Sequence, residues 1–311
     1  MIGIFSEVAV QDVLSRVATL VIVLLLGFIL AKTNIFTQDT RKKLSELLMH
    51  VTSPLLIIKS FQIDYSTELL GEMIIVVVNA IVVIGGGLAL GYLIWRRAPG
   101  DRKAALIFGG GFPNVGYMGY PILGGLFGDA GNLFVALYVM IFQLLSWTVG
   151  IRVFTGKSEK WYKVLLRPSL IAIIIGAILF LFSIKLPEVL YNVADMVGEM
   201  TSPLAMMLAG AYLADNRLKT LFNDAQIYGV VVYRVLLWPA AVAGALWFFH
   251  LDYVLYACCV IIASMPVSVS TVIFAAGFDR NPQFASRMVT MTTLLSMLSV
   301  IFWMFIVKLI A

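Results

Sequence analysis

Charged side chains are scarce in this 311-residue chain, of which only 13% is Asp, Glu, Lys or Arg. A soluble domain usually carries about 25%. Hydrophobic residues make up 61% of the chain, and the mean hydropathy is +0.98. They occur in long runs, whereas a membrane β-barrel would show alternation in segments of about ten residues. The composition excludes a soluble enzyme and a disordered protein, and it predicts an all-α polytopic membrane protein.

Residues that bind metals or act as nucleophiles are also few. The two cysteines, Cys258 and Cys259, are adjacent, so they are poorly placed to form a disulfide with each other. The two histidines, His50 and His250, complete no metal-binding cluster, and the chain contains no nucleophile elbow or phosphate-binding loop. We therefore expect no enzymatic activity, no metal and no organic cofactor.

Apolar runs long enough to cross a bilayer, which takes roughly 20 residues, recur about ten times. Ten runs are consistent with short connecting loops and a single bilayer-embedded body. The lipid bilayer is then the first partner of the chain. The runs cover residues 8–31, 42–61, 72–95, 103–127, 131–153, 166–184, 189–213, 225–248, 252–277 and 284–308.

Positive charge follows the odd-numbered runs. Basic loops stay in the cytoplasm, so both termini are expected on the outer side of the plasma membrane. This asymmetry also explains the net charge of +5, and no nucleic-acid partner is expected. The basic residues of these loops are Lys32, Arg41, Lys42, Lys43, Arg96, Arg97, Arg102, Lys103, Arg152, Lys157, Lys160, Lys163, Arg167, Arg217, Lys219, Arg280 and Arg287.

A repeated tetrapeptide indicates an internal duplication. Thr-Ser-Pro-Leu occupies residues 52–55 in the second run and residues 201–204 in the seventh, 149 residues later. The alternative is coincidence between two ordinary proline kinks. A duplication would divide the chain into a repeat of residues 1–154 and a repeat of residues 155–311. Because each copy holds five runs, the second copy would be inverted, a construction typical of secondary transporters.

The fourth and ninth runs are interrupted by proline at corresponding positions. Pro113 and Pro266 lie 153 residues apart, each near the middle of its run and among Gly, Asn, Ser and Thr. Proline removes a helical hydrogen bond and clashes with the preceding turn. In a bilayer, unwound backbone persists only where it is buried in protein or lines a cavity. Two broken helices at equivalent positions of two halves therefore indicate a transport site.

These residues resemble the auxin efflux carrier family, including its bacterial members described as malonate or malate permeases. The resemblance covers essentially the whole chain and is strongest at Pro113-Asn114, at Met-Gly-Tyr-Pro in 118–121, at Pro54, and from Pro266 to 274–275. It implies ten spans in two inverted repeats with crossed broken helices. It also implies a scaffold of spans 1, 2, 6 and 7 that forms a homodimer, and a mobile transport domain of spans 3–5 and 8–10. Many bacterial relatives have Asn where this chain has Ser270, which weakens transfer of a particular substrate.

A helix broken in mid-membrane exposes free N–H groups and about half a positive charge at its new N-terminus. Two such ends would bind a carboxylate without a fixed cation. The alternative for the polar residues is repair of the unwound backbone, since Ser and Thr often bond to the preceding turn. The candidate substrate-binding residues are Pro113, Asn114, Val115, Gly116, Tyr117, Met118, Pro266, Ser268, Ser270 and Thr271 at the interruptions, Ser53, Pro54, Ser202 and Pro203 from the scaffold, and Gln143 in the fifth run.

Four further residues are candidates for charge balance or ion coupling. Arg234 lies inside the eighth run, where it either attracts an anion or an acidic partner, or extends to the cytoplasmic headgroups. Asp195 and Glu199, four residues apart, either couple transport to protons or interact with the dipole of their helix start. His50 is either a proton relay or a neutral packing residue.

The leading functional hypothesis is a secondary transporter of a small organic anion, a mono- or dicarboxylate, that works by elevator-like alternating access. An anion channel, a carrier of a larger amphipathic acid such as an auxin-like compound, and an intramembrane enzyme are the alternatives. A channel would need a continuous pore. The intramembrane enzyme is the weakest alternative, because the runs show no spaced pair of catalytic residues. The sequence leaves the coupling ion open between a proton and sodium.

Overall fold

The fold is built from helices that follow one another with short connections. The structure is a computed structural model that describes residues 7–156, 162, 165–214 and 224–310. The predicted loop residues Lys157, Lys160, Lys163, Arg217 and Lys219 lie outside the described residues. The helices are α1 (Glu7–Lys32), α2 (38–60), α3 (Thr67–Trp95), α4 (Gly100–Gly111), α5 (115–127), α6 (129–155), α7 (Pro168–Leu181), α8 (Glu188–Gly198), α9 (Thr201–Leu213), α10 (Ala225–Trp247), α11 (Tyr253–Ser264), α12 (Ser270–Gly277) and α13 (Pro282–Ile310).

Each predicted apolar run falls on one helix or on a consecutive pair. Among the described residues, four segments are long and apolar enough to cross a membrane. They are Thr67–Trp95, Val115–Thr155, which contains both α5 and α6, Ala225–Trp247 and Pro282–Ile310. Shorter apolar helices include Pro168–Leu181 and Tyr253–Ser264. The prediction of a helical polytopic membrane protein is confirmed. The count of ten spans, the inverted repeat and the two-domain division stay predictions.

Polar side chains fix where several helices begin. The first N–H groups of a helix have no partner within it, and Ser, Thr and Asp supply one. Ahead of α2, the side chain of Thr37 accepts a hydrogen bond from the backbone N–H of Thr40. Ahead of α3, the side chain of Ser66 accepts one from the backbone N–H of Leu69. Asp224 and Asp252 play the same role for α10 and α11. These four helices therefore begin at defined residues.

The helices α5 and α6 form a tight hairpin. Gly128, with φ of 62° and ψ of −138°, breaks the helical segment between them. A residue with a side chain rarely adopts this backbone conformation, so glycine is required here. A Cβ on Gly131 would lie 2.6 Å from the carbonyl carbon of Leu123, so the two helices pack backbone against backbone. The Gly-Asp-Ala-Gly sequence at residues 128–131 therefore separates the two helices.

Helices α1 and α9 also pack in direct backbone contact. A Cβ on Gly27 would lie 2.6 Å from the Cα of Met207, and one on Gly210 would lie 2.8 Å from the carbonyl carbon of Leu24. Small residues allow this close approach between membrane helices. Lys32, in the last turn of α1, donates to the carbonyl of Ala214 beyond α9 over 2.7 Å. Helices α1 and α9 are therefore in contact along their length and joined by a hydrogen bond at one end.

Several helices contain π-helical turns. In α2 the turn Leu48–Thr52 directly precedes Pro54, so the helix continues through the proline instead of breaking there. In α10 the turn Tyr233–Leu237 contains Arg234, which is buried. A π turn leaves backbone groups without their usual helical partners, and such turns are frequent at functional sites. The carbonyl of Val235 accepts from both Ser299 and Trp303 of α13, which compensates for the disrupted turn.

Candidate functional site

The two interrupted helices cross at their prolines. Pro113 and Val267 form an antiparallel bridge, in which the N–H of Asn114 donates to the carbonyl of Pro266 over 2.8 Å. The N–H of Ser268 donates to the carbonyl of Phe112 over 3.1 Å. The sequence predicted two breaks, and both are present: α4 ends at Gly111 before α5, and α11 ends at Ser264 before α12. The unwound segments pair with each other, which satisfies their backbone groups.

The new N-terminal ends of the two helices are not equivalent. Ahead of α12, Ser268 accepts from the N–H of Ser270 through its hydroxyl, over 3.2 Å, and from the N–H of Thr271 through its carbonyl, over 3.0 Å. The alternative role of backbone repair therefore fits Ser268. Ahead of α5, the side chain of Asn114 makes no such cap.

Asn114 is the most informative polar residue of the crossing. Its side chain is only 1% exposed, and neither its amide nitrogen nor its amide oxygen has a hydrogen-bond partner among the described residues. An unpaired buried amide is costly, by about 1–3 kcal/mol. Asn114 is also one of the residues that line a cavity of about 430 Å³, so an unpaired amide lies at the wall of a space that a ligand can occupy.

This cavity lies between the crossing and the helices α2, α9 and α13. Its polar lining includes Ser45 and Tyr212, whose hydroxyls lie 3.2 Å apart. The basic residues Arg41 and Lys42, from the first of the basic loops, also line it. Most of the remaining wall is apolar, from Met49, Ala209, Leu213, Val269, Val272, Ile273 and Val289.

The other predicted residues of the crossing cluster around Asn114. Pro113, Val115 and Tyr117 are buried beside it, and Gly116 is partly exposed. The N–H of Met118 donates to the carbonyl of Asn114 over 3.0 Å.

On the partner segment, Pro266 is buried and Ser270 is partly exposed. Thr271 is fully buried, with a hydroxyl that has no partner among the described residues. The structure thus brings together the ten candidates predicted at the two interruptions, and their role in binding stays a prediction.

The remaining five candidates lie apart from the cavity wall described above. Ser53 is buried within α2, Pro54 and Ser202 are partly buried, and Pro203 is exposed. The cavity is lined further along the same helices, by Met49 of α2 and by Tyr212 of α9. Gln143 accepts a hydrogen bond from the indole N–H of Trp147 over 3.1 Å within α6.

Arg234 binds backbone carbonyls and pairs with no acidic side chain among the described residues. Its side chain is 0% exposed, so it is enclosed by protein. The guanidinium donates to the carbonyl of Gly110 over 3.3 Å and to the carbonyl of Met265 over 2.8 Å. Among the described residues no carboxylate pairs with it. Arg234 therefore binds the ends of α4 and α11.

Asp195 and Glu199 belong to an ion-pair cluster on the opposite side from the basic loops. The ammonium of Lys59, a side chain only 9% exposed, lies 3.0 Å from a carboxylate oxygen of Asp195 and 3.1 Å from one of Glu199. It also lies 3.1 Å from a carboxylate oxygen of Asp129, at the start of α6. Asp195 lies in the last turn of α8, and Glu199 lies two residues before the start of α9 at Thr201, so the coupling and helix-start interpretations both stay predictions.

His50 is exposed at the surface of α2. Its Nδ1 lies 2.9 Å from the carbonyl of Glu46 one turn earlier, within the π-containing part of the helix. This local bond agrees with the packing alternative, and nothing in the structure places His50 on the cavity wall.

Sequence reasoning missed two features of the structure. It assigned no role to Lys59, although a lysine between the apolar residues of α2 signals a buried partner. The second is the face of α13 that lines the cavity through Ser286, Thr290 and Thr293. Their spacing of four and three residues places them on one helical face, and this polar stripe is visible in the sequence.

Comparison with known proteins agrees with this architecture. A family described as membrane transport protein matches residues 12–164 and 158–304. An uncharacterized transporter of Methanothermobacter thermautotrophicus is 24% identical over 296 residues, covering 92% of this chain and 96% of the relative. An uncharacterized transporter of Methanocaldococcus jannaschii is 23% identical over 304 residues, covering 92% of this chain and 96% of the relative. The uncharacterized transporter YfdV of Escherichia coli K12 is 19% identical over 307 residues, with 94% and 96% covered.

Proposed function

Because this chain belongs to the membrane transport protein family, the auxin efflux carrier family that its motifs resemble, we propose that it is a secondary transporter of a small organic anion. The family and the named relatives are transporters rather than enzymes. The membrane proposed for the protein is the plasma membrane, with both termini outside, since the basic loops favour the cytoplasmic side.

The observation that carries this proposal is the free amide of Asn114 at the cavity. A buried amide with neither atom paired needs an external partner to satisfy it. The adjacent start of α5 supplies N–H groups and about half a positive charge. Together they bind a carboxylate, with the amide nitrogen of Asn114 as an additional donor.

The apolar walls narrow the class of anion. Val269, Val272 and Ile273 on one side and Met49 and Leu213 on the other surround the space beyond Asn114. A second carboxylate placed against these side chains would lose its hydration without gaining hydrogen bonds. We therefore expect a monocarboxylate with an apolar body to bind better than a dicarboxylate of similar size. The same walls favour the alternative of a larger amphipathic acid.

An alternating-access mechanism fits the difference between the two ends of the protein. The cavity opens toward Arg41 and Lys42, while the opposite side holds the Lys59 cluster. We propose that α3–α6 and α10–α13 move as the transport domain against a scaffold of α1, α2 and α7–α9, which also forms the homodimer contact. Lys59 belongs to the scaffold in this division and Asp129 to the transport domain, so their ion pair breaks when the opposite side opens.

Binding is tested with purified protein and a panel of acids. Thermal stability is measured with benzoate, hexanoate, malonate and malate, across pH and with or without sodium. We expect Asn114→Leu and Ser270→Leu to abolish the ligand-dependent rise in Tm while the proteins still fold. Gln143→Leu is the matched control, an amide replaced in the same way away from the cavity, and it retains the rise. Retained stabilisation in both crossing variants would remove the crossing from the site.

Transport is tested in liposomes with the acid that stabilises best. A carrier gives saturable uptake that is accelerated by the same acid on the far side. A voltage-driven flux near diffusion rates, without such acceleration, would identify an anion channel and refute the carrier mechanism.

A further inference from the structure

Arg234 connects the two broken helices from the side opposite to their N-terminal ends. It lies in the π turn Tyr233–Leu237 of α10 and contacts the carbonyls of Gly110 and Met265 with two different nitrogens. Gly110 is in the last turn of α4, and Met265 is the residue that follows α11. One side chain thus binds the C-terminal ends of both half-helices.

The charge of Arg234 is matched by these two ends. A helix C-terminus carries roughly half a negative charge, so two of them together balance about one positive charge. An arginine inside a membrane otherwise costs several kcal/mol. Tyr138 and Tyr233 are the nearby titratable groups, and both are neutral hydroxyls at physiological pH. The two helix ends therefore explain how a fully buried arginine is tolerated without a carboxylate.

The consequence for the site follows from the distribution of charge along the crossing. Each broken helix contributes a negative end before its proline and a positive end after it. Without Arg234, the carbonyls of Gly110 and Met265 would oppose an anion held a few residues away at Asn114. With Arg234 in place, the negative ends are neutralised and the positive start of α5 is left to act on the cavity.

We propose that Arg234 is a positioning residue that fixes the crossing and makes it selective for anions, without touching the substrate. The inference deepens the proposed function and rests on it for the identity of the ligand as an anion. Arg234 is completely buried and lies outside the cavity wall, so it acts through the backbone of α4 and α11.

The first test needs no ligand. Backbone hydrogen exchange is measured on purified Arg234→Gln, Arg234→Lys and Ser299→Ala proteins. Ser299→Ala is the matched control, because it removes a contact to the same π turn through Val235 and leaves the arginine. We expect Arg234→Gln to accelerate exchange about tenfold at residues 109–117 and 264–271 but not in α1 or α9, and Arg234→Lys to restore most of the protection. Unchanged exchange at the crossing, or equal acceleration throughout the chain, would overturn the positioning role.

The second test separates charge from shape. Benzoate and its uncharged amide, benzamide, differ by one charge on the same ring. We expect Arg234→Gln to lose about tenfold in affinity for benzoate and little for benzamide, and Arg234→Lys to recover the preference. An equal loss for both compounds would contradict the electrostatic role. If the wild-type protein binds neither compound, the anion site fails, while the exchange measurement still decides whether Arg234 holds the crossing.

Discussion

Asp129→Asn should shift the protein away from the conformation seen here. The carboxylate of Asp129 is held 3.1 Å from the ammonium of Lys59, and in the proposed division this ion pair joins the transport domain to the scaffold. The substitution keeps the size of the side chain and removes its charge. Lys59 keeps its other two partners, Asp195 and Glu199, so it is not left unpaired.

The magnitude follows from burial. The side chain of Asp129 is 48% exposed, and solvent screening there weakens the ion pair, whereas the side chain of Lys59 is only 9% exposed. An exposed pair contributes about 0.2–1 kcal/mol, and the buried lysine puts this one at the upper end, about 1 kcal/mol. Because each 1.4 kcal/mol is a factor of ten, the ratio of molecules with the cavity open to molecules with it closed falls about fivefold.

The assay is maleimide labelling of a Met49→Cys protein, since Met49 lines the cavity. The native Cys258 and Cys259 are buried and contribute little background. Glu199→Gln is the matched control, because it removes a carboxylate from the same lysine within the scaffold. We expect slower labelling with Asp129→Asn and wild-type labelling with Glu199→Gln. Equal effects of the two substitutions would refute the assignment of the Lys59–Asp129 pair to the moving interface.

Two further outcomes are expected. Gly210→Ala forces α1 away from α9, because the new Cβ lies 2.8 Å from the carbonyl carbon of Leu24. It should lower the free energy of unfolding by about 1–3 kcal/mol, measured as a fall in Tm. The control is Gly244→Ala, whose new Cβ meets no atom within 4 Å. Hexanoate should stabilise the protein more than malate or malonate in the ligand panel, and the reverse order would contradict the role assigned to the apolar walls.

The helical membrane fold and the position of the crossing could be predicted from sequence because both depend on local rules. Long apolar runs require helices in a bilayer, and proline among Gly, Asn and Ser interrupts them. Pro113 and Pro266 therefore located the two breaks. Pro54, in contrast, lies in a helix that continues without a break after the π turn Leu48–Thr52.

The partners of charged residues could not be predicted, because they depend on which helices pack together. Arg234 donates to the carbonyl of Gly110, 124 residues away in the sequence, and Lys59 donates to Glu199, 140 residues away. The sequence showed only that Arg234 lies inside an apolar run. Its alternatives for Arg234 did not include helix ends, which carry charge without any ionisable side chain.

The contacts of Arg234 also bear on how the chain is inserted during synthesis. When α10 enters the membrane, α4 has already been made, so the carbonyl of Gly110 is available to accept one nitrogen of the guanidinium. Met265 follows 31 residues later and is available only after α11 has emerged. We therefore expect Arg234 to have one of its two backbone partners when α10 is inserted, and to gain the second when α11 follows. On this basis we expect stable insertion of α10 to require α4, which is synthesised first.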